Sequence, residues 1–400
     1  EAESRYLELK SMNLTVDLTR GKPDKDQLDL SSGLESILQT NFELDGMDTR
    51  NYGEIMGLDS CRKLGSEIMG CNKDLILAGG NSSLNLMSQY LSSMFFHKSD
   101  EGPWSSKEKI TLLCPVPGYD RHFTLCEQFG IKMLPIRLTG KGPDINEIKA
   151  LIKNDSTIKG IWCVPKHSNP TGETYSKSTI VSLLEIIKES EKEFKIFWDN
   201  AYAVHDFDKS IQLEDIFSMA EELQVADSVV SFASTSKITY AGSGIGFMAL
   251  SKSNMEIFMK YYSAMVICPD KVNQARHVRF FDQNDGVDSH MKKHADILRP
   301  KFELVEKKLS EQGYGSWTKP TGGYFVSFTA RAGLAKEIIS LSRELGLELT
   351  SAGAAYPYGI DPLDENIRIA PTACSLDDLE KAMDVFVTCV ALATLRNGTN

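Results

Sequence analysis

The sequence predicts an α/β protein in which a large domain with a mostly parallel sheet is joined to a smaller α+β domain. From about residue 74 to residue 250, short apolar runs alternate with longer amphipathic segments, and most runs end in Gly, Pro, Asn or Asp. Runs with few internal charges are typical of strands buried on both faces, as in parallel sheets. After about residue 288 the pattern changes to a long charged helix and mixed strands and helices. We therefore expect a large domain over residues 46–288 and a small domain built from residues 1–45 and 289–400.

Seven short apolar runs are the candidate strands of the large domain, and segments with helical spacing lie between them. Two of these segments, over residues 84–96 and 178–189, are predicted helices. The smaller domain is predicted to hold a long helix over residues 289–312 and a strand pair around Trp317 and residues 324–328. Because ligands of open α/β sheets bind beyond the carboxyl ends of the strands, we expect the chemistry just after each run. The runs cover residues 75–78, 110–114, 132–136, 158–164, 194–198, 228–233 and 246–250.

Charge and cysteine usage argue against several classes of protein. The 400 residues carry a formal net charge of −11, which argues against a nucleic-acid-binding surface. The eight cysteines form no CxxC pair and no spacing typical of metal ligands, so we expect free thiols, a reducing compartment and no metal site. The acidic start does not resemble a signal peptide, and the longest apolar stretch is too short to span a bilayer. These features predict a soluble cytoplasmic protein without nucleic-acid or membrane partners.

Lys237 is the first candidate catalytic residue. It ends the run Ser234-Thr235-Ser236-Lys237, between a predicted strand and a glycine-rich segment at residues 242–246. A lysine amine that loses its proton through desolvation can attack a carbonyl carbon and form a Schiff base. A loop lysine is more often a solvated charge, so this residue alone does not decide the function.

A glycine and serine loop follows the first predicted strand. The sequence Gly79-Gly80-Asn81-Ser82-Ser83 leads directly into the helix predicted over residues 84–96. Glycines allow a ligand to approach the backbone closely, and the free N–H groups at a helix start favour a phosphate. The alternative is a tight turn in which Ser82 or Asn81 caps the helix.

Two further strand ends carry polar residues. Asn169 lies in the turn Ser168-Asn169-Pro170-Thr171-Gly172, where an amide can face a ligand, although most turns of this composition carry no chemistry. Asp199 follows the run at residues 194–198, with Tyr202 three residues later. A carboxylate there is costly to bury unless it meets a cation or a strong donor. The alternative for Asp199 is the N-cap of a helix.

Arg368 stands alone in the apolar segment Asn366-Ile367-Arg368-Ile369-Ala370-Pro371. Arginine suits a bidentate clamp on a carboxylate, and a structural ion pair is the alternative. Taken together, the candidate residues offer a phosphate cradle, a lysine for an aldehyde, a carboxylate for a ring nitrogen, a phenol and an amide for a ring oxygen, and a carboxylate clamp. Those are the requirements of pyridoxal phosphate (PLP) bound to an amino acid.

In these motifs and their order, the chain resembles the fold-type I PLP-dependent aminotransferases of class I. More narrowly, it is similar to the aspartate-aminotransferase-like branch that is also called MocR-like. The resemblance covers most of the chain and implies the fold of the PLP-dependent transferases of fold type I. Its motifs are Asn51-Tyr52, residues 79–83, Pro117-Gly118-Tyr119, and residues 168–172, 199–202, 234–237 and 368.

The resemblance implies a role for each candidate residue. Lys237 holds PLP as a Schiff base and moves the proton at the substrate Cα, while Asp199 keeps the pyridine nitrogen protonated. Arg368 binds the substrate α-carboxylate, and Tyr52 reaches the phosphate of a neighbouring subunit, which implies a homodimer with shared sites. The other implied roles are hydrogen bonds to the ring oxygen from Tyr202 and Asn169, stacking by Tyr119, and phosphate contacts from Gly80, Asn81, Ser82, Ser234 and Ser236.

One position departs from the family pattern. The family usually places a phosphate-binding arginine eight residues after the lysine. In this chain Gly244-Ile245-Gly246 fills that region, with one residue fewer and no arginine. Backbone dipoles, hydroxyl groups or a cation from elsewhere must therefore balance the phosphate charge.

The resemblance implies an aminotransferase that moves an amino group between an amino acid, aspartate or glutamate, and a 2-oxo acid such as 2-oxoglutarate. A side-chain carboxylate needs a second cation, for which Arg20 and Lys22 are the candidates. The expected substrate-binding residues are thus Arg368, Asn169 and Arg20. Another PLP-dependent reaction, such as β-elimination or decarboxylation, is one alternative. A ligand sensor fused to a DNA-binding domain is another, which the lack of a helix-turn-helix pattern disfavours.

Overall fold

The computed structural model describes residues 2–97, 102–190, 193–208 and 211–398. The helices are α1 (Ala2–Lys10), α2 (Lys25–Asp29), α3 (Asp59–Met69), α4 (Ser83–Phe96), α5 (Asp120–Gln128), α6 (Ile145–Asn154), α7 (Lys177–Ser190), α8 (Ile216–Glu222), α9 (Lys252–Tyr262), α10 (Lys271–Gln283), α11 (Gly286–Gln312), α12 (Ala335–Glu344) and α13 (Leu376–Asn397). The strands are β1 (Val16–Asp17), β2 (Glu43–Leu44), β3 (Met47–Asp48), β4 (Ile76–Ala78), β5 (Thr111–Val116), β6 (Lys132–Arg137), β7 (Ile158–Cys163), β8 (Lys195–Asp199), β9 (Val229–Ser234), β10 (Gly246–Leu250), β11 (Ser316–Trp317), β12 (Val326–Thr329), β13 (Leu347–Glu348) and β14 (Asn366–Ile369).

A seven-stranded sheet of order β4-β10-β9-β8-β7-β5-β6 forms the centre of the fold. Strands β9, β8, β7, β5 and β6 are parallel to one another, whereas β10 runs antiparallel between β9 and β4. All seven predicted strands are present, with ends shifted by at most two residues. The prediction of an α/β fold with a mostly parallel sheet is confirmed.

The sheet is buried on both faces because successive side chains of each strand enter different hydrophobic clusters. In β8, Ile196 and Trp198 pack into one cluster and Phe197 packs into another. The helices predicted over residues 84–96 and 178–189 are α4 and α7, which are each longer than predicted by one or two residues. Alternating apolar runs and amphipathic segments were therefore sufficient to locate these elements.

A three-stranded sheet of order β11-β12-β14 lies in the C-terminal part of the chain. The helix predicted from residue 289 is α11, which begins at Gly286, and the predicted strand pair forms with Trp317 opposite Phe328. The second strand of this pair begins at Val326 instead of residue 324. A third hydrophobic cluster joins this sheet to α11, α12 and α13 and includes Leu18 from the N-terminal segment, whose β1 pairs with β13.

The topology brings several loops to one edge of the seven-stranded sheet. The carboxyl ends of the parallel strands β7, β8 and β9 meet there, because parallel strands end on the same side. Since β10 is antiparallel, its first residue, Gly246, pairs with Ser234 at this edge. Within the described ranges, no helix is long and apolar enough to cross a membrane.

Candidate active site

A cavity of about 200 Å³ opens at this carboxyl edge and collects most of the predicted site residues. Loops after β4, β5, β7, β8 and β9 supply its polar lining, and α4 supplies apolar contacts. The predicted residues that line it are Ser82, Tyr119, Asn169, Asp199, Tyr202, Ser234, Ser236 and Lys237.

Lys237 lines this cavity at the start of the loop that follows β9. Burial lowers the pKa of its amine, and the nearby charge of Asp199 opposes that shift. Its Nζ lies 5.2 Å from the centroid of the Tyr202 ring. Lys237 is thus not a fully solvated loop lysine, since it is half-buried in the cavity, and the lowered pKa shifts its amine toward the neutral, nucleophilic form.

Asp199 is the last residue of β8, and only 3% of it is exposed. Its Oδ2 lies 2.9 Å from Nε2 of His122, and the His122 ring stacks on Trp162 at 4.2 Å. Its Oδ1 is buried and has no hydrogen-bond partner within the described residues. Turns instead of a helix follow Asp199, so the alternative of a helix N-cap is wrong. A buried carboxylate oxygen of this kind is costly unless a donor meets it, and a ligand in the cavity can supply that donor.

Phenol and amide groups complete the polar lining near Asp199. Burial raises the pKa of Tyr202 well above its ordinary value, and burial followed by the charge of Asp199 raises the pKa of Tyr119 to about 12. Both phenols therefore stay protonated at neutral pH and can donate hydrogen bonds. Asn169 is 3% exposed and lines the same cavity.

Hydroxyl groups and a helix start form the other end of the cavity. Ser82 occupies the N-cap position of α4, but its side chain makes no capping hydrogen bond. Ser82 is thus the N-cap residue that the alternative expects, but its side chain does not cap the helix, so its hydroxyl remains available for a ligand. Gly80 and Asn81 precede it in the loop and are not among the lining residues, although the Asn81 carbonyl accepts a 3.5 Å hydrogen bond from Ser236 Oγ.

The glycines after Lys237 have a steric role at this end of the cavity. A Cβ added to Gly246 would lie 2.9 Å from the Ser82 carbonyl oxygen and 3.0 Å from that of Gly79. A side chain at position 246 would therefore collide with the backbone of the loop that holds Ser82. The described residues that line the cavity include no arginine, so hydroxyls and the start of α4 are the anion-binding groups present.

A larger cavity of about 540 Å³ adjoins the first and shares Tyr119, Asn169, Tyr202 and Lys237 with it. Arg20 and Arg368 line this cavity, as predicted for substrate-binding residues, whereas Lys22 is not among its lining residues. The other charged residues of the lining are Asp120, Arg121, Arg343 and Glu348.

Arg368 lies on β14 and is 7% exposed. Its Nη1 donates to Asp120 Oδ1 at 3.2 Å and to Asn169 Oδ1 at 3.4 Å. Neutral oxygen atoms of Thr19 and Thr350 accept its remaining hydrogen bonds. The alternative of an ion pair is confirmed, and the carboxylate clamp stays a prediction for an arginine that also faces a cavity large enough for a small molecule.

Tyr52 is separate from both cavities of its own chain, and 72% of it is exposed. The buried Lys271 holds the loop on either side of it, since Lys271 Nζ donates to the Asn51 carbonyl at 2.6 Å and to the Gly53 carbonyl at 2.9 Å. The Tyr52 ring is therefore held facing outward. Its predicted contact with a phosphate cannot form within one chain.

The sequence motifs missed two groups of residues that support the site. One is His122, which follows the predicted Tyr119 by three positions, so its place in that motif was a usable signal. The other is a buried chain of hydrogen bonds behind Lys237, and its members lie too far apart in sequence to suggest a motif. In this series of hydrogen bonds, Tyr324 donates to the Lys237 carbonyl at 3.3 Å and Gln27 donates to Tyr324 at 2.9 Å. Gln27 Nε2 also lies 3.0 Å from His294 Nδ1.

Comparison with known proteins identifies the family. The aspartate amino-transferase family model matches residues 1–400. The chain belongs to this family. An aspartate aminotransferase of Corynebacterium glutamicum is 39% identical over 409 residues, which cover 100% of this chain and 94% of that enzyme. A protein of Mycolicibacterium smegmatis, named as an aminotransferase by inference, is 43% identical over 402 residues, which cover 98% of this chain and 94% of that protein.

Solved aminotransferase structures share the fold of this enzyme. The crystal structure of an aspartate transaminase from C. glutamicum has a TM-score of 0.94 at 38% identity, covering 99% of this chain and 95% of that one. An α-aminoadipate aminotransferase from Thermus thermophilus, complexed with N-(5′-phosphopyridoxyl)-L-leucine, has a TM-score of 0.79 at 16% identity, covering 99% of this chain and 97% of that one. The second likeness concerns the fold alone.

This protein is therefore an aminotransferase with the predicted PLP-dependent transferase fold, and aminotransferases of this fold depend on PLP. Its substrates are accordingly an amino acid and a 2-oxo acid. The narrower MocR-like branch is not tested by these relatives and stays a prediction.

Proposed function

We propose that this aminotransferase binds PLP and moves an amino group between aspartate or glutamate and a 2-oxo acid such as 2-oxoglutarate. The observation that carries the proposal is the buried Asp199. Its Oδ1 has no hydrogen-bond partner among the described residues, and Asp199 lines the same cavity as Lys237. A protonated pyridine nitrogen would satisfy that oxygen, and the lysine amine lines the same small space. The residues present therefore fit the cofactor.

Each end of the cavity suits a different part of PLP. Asp199, braced by His122, would hold the proton on the ring nitrogen, and Tyr202 and Asn169 would donate to the ring oxygen. Tyr119 would stack on the ring. The phosphate would bind near the start of α4, held by Gly80, Asn81, Ser82, Ser234 and Ser236.

When bound, the cofactor supplies a carbonyl carbon for covalent attachment and a ring that accepts electrons. The Lys237 amine would hold that carbon and, when free, would take the proton from the substrate Cα and give it back. Arg368 holds the substrate α-carboxylate and so orients the Cα–H bond toward the lysine. The burial of Asp199 limits access of water to this end of the cavity.

The preference for a dicarboxylic donor rests on two observations. The relative from C. glutamicum is named an aspartate aminotransferase. In addition, the described residues that line the larger cavity include four arginines but only two carboxylates, Asp120 and Glu348, each of which is paired with an arginine. This leaves Arg20 and Arg121 to bind a second carboxylate, and Arg20 is the residue we assign to it.

We also infer a homodimer in which Tyr52 reaches the phosphate site of the partner. Tyr52 is held outward by Lys271, and the apolar Met265 and Ile267 are 51% and 70% exposed, as expected of a surface that another chain covers.

We further infer the two-domain division at residues 46–288, with residues 1–45 and 289–400 in the small domain, because Leu18 packs in the cluster of the C-terminal sheet. A cytoplasmic location accords with the eight free cysteines.

The reaction can be tested directly with the purified holoenzyme. We expect aspartate to yield oxaloacetate only when 2-oxoglutarate is present, and Lys237→Ala to lower turnover by about 10²–10⁴-fold. Lys260→Ala, at an exposed position in α9, serves as the matched control. Release of ammonia and pyruvate without an acceptor would instead identify a lyase, and turnover that survives Lys237→Ala would exclude the proposed mechanism.

A further inference from the structure

All five N–H groups of the Arg368 guanidinium already have an acceptor in the free protein. Nε and Nη2 both donate to Thr350 Oγ1, Nη2 also donates to the Thr19 carbonyl, and Nη1 donates to Asp120 and to Asn169. A substrate carboxylate cannot bind this guanidinium unless one of these acceptors leaves.

Asp120 differs from the other acceptors in charge and in exposure. It supplies the carboxylate of the ion pair with the buried Arg368, whereas Thr19, Thr350 and Asn169 contribute neutral oxygen atoms. Its side chain is 34% exposed, and both Asp120 and Arg368 line the larger cavity. Two carboxylates at one guanidinium repel each other, so an incoming carboxylate displaces Asp120 before it displaces a neutral group.

We propose that Asp120 is an intramolecular competitor for the substrate, occupying the part of Arg368 that the α-carboxylate takes and leaving when the substrate binds. This inference rests on the proposed function of Arg368 as the carboxylate clamp. The pair also joins two parts of the fold, because Arg368 lies on β14 and Asp120 begins α5. Binding of a substrate therefore breaks a link between the three-stranded sheet and the helix that follows β5.

The displaced carboxylate has a favourable place to go. Asp120 is the first residue of α5, and the preceding Tyr119 makes no side-chain capping hydrogen bond. A carboxylate at the start of a helix is stabilised by the helix dipole and by the free N–H groups of the first turn. Among the described residues, the side chain of Asp120 has no hydrogen-bond partner apart from Arg368, so its rotation breaks no other bond.

The functional consequence is a weaker affinity for every substrate that carries an α-carboxylate. Without Asp120, the buried Arg368 would lack its counter-charge until the substrate arrived, and the substrate would gain the whole of the ion pair. With Asp120, binding exchanges one carboxylate for another. Both the amino donor and the 2-oxo acid carry this carboxylate, so both affinities are lowered together.

The test compares the Asp120→Asn and Asp120→Ser holoenzymes with the wild type and with a control, Asp144→Asn. The control also removes the charge of an aspartate near a helix start, where Asp144 pairs with the exposed Arg137. We expect the KM for aspartate, the KM for 2-oxoglutarate and the Kd for succinate, an unreactive dicarboxylate, to fall about tenfold in both Asp120 variants. The control should keep wild-type values. If the two Asp120 variants fold but their Kd for succinate is equal to or higher than that of the wild type, the assignment of Asp120 as a competitor is wrong.

A parallel variant separates this inference from the assignment of the clamp. Arg368→Lys keeps a positive charge but loses the forked geometry, and we expect it to raise the Kd for succinate about tenfold or more. If that variant binds succinate as the wild type does, the clamp itself is misassigned. If it weakens binding while the Asp120 variants do not strengthen it, the clamp stands and the competitor fails.

Discussion

At the scale of single residues, charge pairing distinguishes the arginines of the larger cavity. Arg343 pairs with Glu348, and Arg368 pairs with Asp120. Arg20 and Arg121 line the same cavity, and within the residues the structure describes neither forms an ion pair. An unpaired guanidinium is free to bind the side-chain carboxylate of a dicarboxylic substrate, and of these two arginines we assign Arg20 to substrate specificity.

Replacement of Arg20 by Gln should therefore change the choice of donor. We expect the KM for aspartate to rise about fivefold, as loss of about 1 kcal/mol of charge-assisted binding implies, while the KM for alanine changes little. Steady-state kinetics with both donors measures the ratio. Lys22→Gln is the matched control, because Lys22 is two residues away and does not line the cavity. An equal rise in the KM for aspartate and for alanine would show that Arg20 does not bind the side chain of the donor.

At the scale of elements, the antiparallel β10 brings two loops together at the predicted phosphate site. Gly246 begins β10 and pairs with Ser234, so its backbone passes directly beside the loop that holds Ser82. The close approach leaves no room for a Cβ. Gly246 lies nine residues after Lys237, so this packing is separate from the position at which the family usually has an arginine.

Gly246→Ala should accordingly disturb that packing. We expect the free energy of unfolding to fall by about 1–3 kcal/mol, because the new Cβ meets backbone atoms that cannot move aside easily. We also expect faster loss of PLP during dialysis. Gly242→Ala is the control in the same segment, since a Cβ there meets no atom within 4 Å. Equal stability and equal cofactor retention in the two variants would contradict the steric explanation.

Lys271, the first residue of α10, holds a loop that is distant from it in sequence. Its buried ammonium donates to two carbonyls, those of Asn51 and Gly53. Lys271→Met would leave both carbonyls without this donor, which should lower the free energy of unfolding by about 2–5 kcal/mol. If Tyr52 serves a partner chain, the variant should also dissociate into monomers at a higher protein concentration than the wild type. Urea titration and analytical ultracentrifugation measure the two effects, with the exposed Lys260→Met as control.

At the scale of the whole molecule, buried histidines connect the site to the rest of the fold. His294 lies on α11, 3.0 Å from Gln27 and 3.1 Å from His290, and His290 lies 2.8 Å from the carbonyl of Ile238, the residue after Lys237. Burial, followed by the charge of His290, lowers the pKa of His294 to about 3. Acid should therefore unfold the structure through this buried cluster.

The sign of the pH effect follows from proton uptake. Unfolded His294 binds a proton near pH 6.5, whereas folded His294 binds one only near pH 3, so stability falls as the pH drops between these values. The loss is about 1.4 kcal/mol per pH unit for one histidine. We expect His294→Asn to reduce the difference in unfolding free energy between pH 7 and pH 5 by about 2 kcal/mol, as measured by urea titration. An unchanged pH dependence in the variant would mean that His294 is already protonated in the folded state.

Much of the fold and site could be predicted from sequence because the relevant signals are local. Seven apolar runs located the strands, and the polar residues directly after them, such as Asp199 and Asn169, identified the carboxyl edge of the sheet. Lys237 was found in the same way. The beginning of β12 was placed two residues early, because Tyr324 and Phe325 are apolar and buried without being part of the strand. Apolar residues therefore show which segment is buried, but they do not show which of the buried residues pair with a neighbouring strand.

What the sequence determined by itself was the α/β fold class, the family and the lysine, because each depends on short patterns and their order along the chain. The tertiary structure decided which groups oppose one another. His122 meets Asp199 across 77 positions, and Asp120 meets Arg368 across 248. Such pairs depend on how sheets and helices pack, which no local pattern encodes. The same packing places Gly246 beside Ser82, and it leaves Asp120 on the guanidinium that we assign to the substrate.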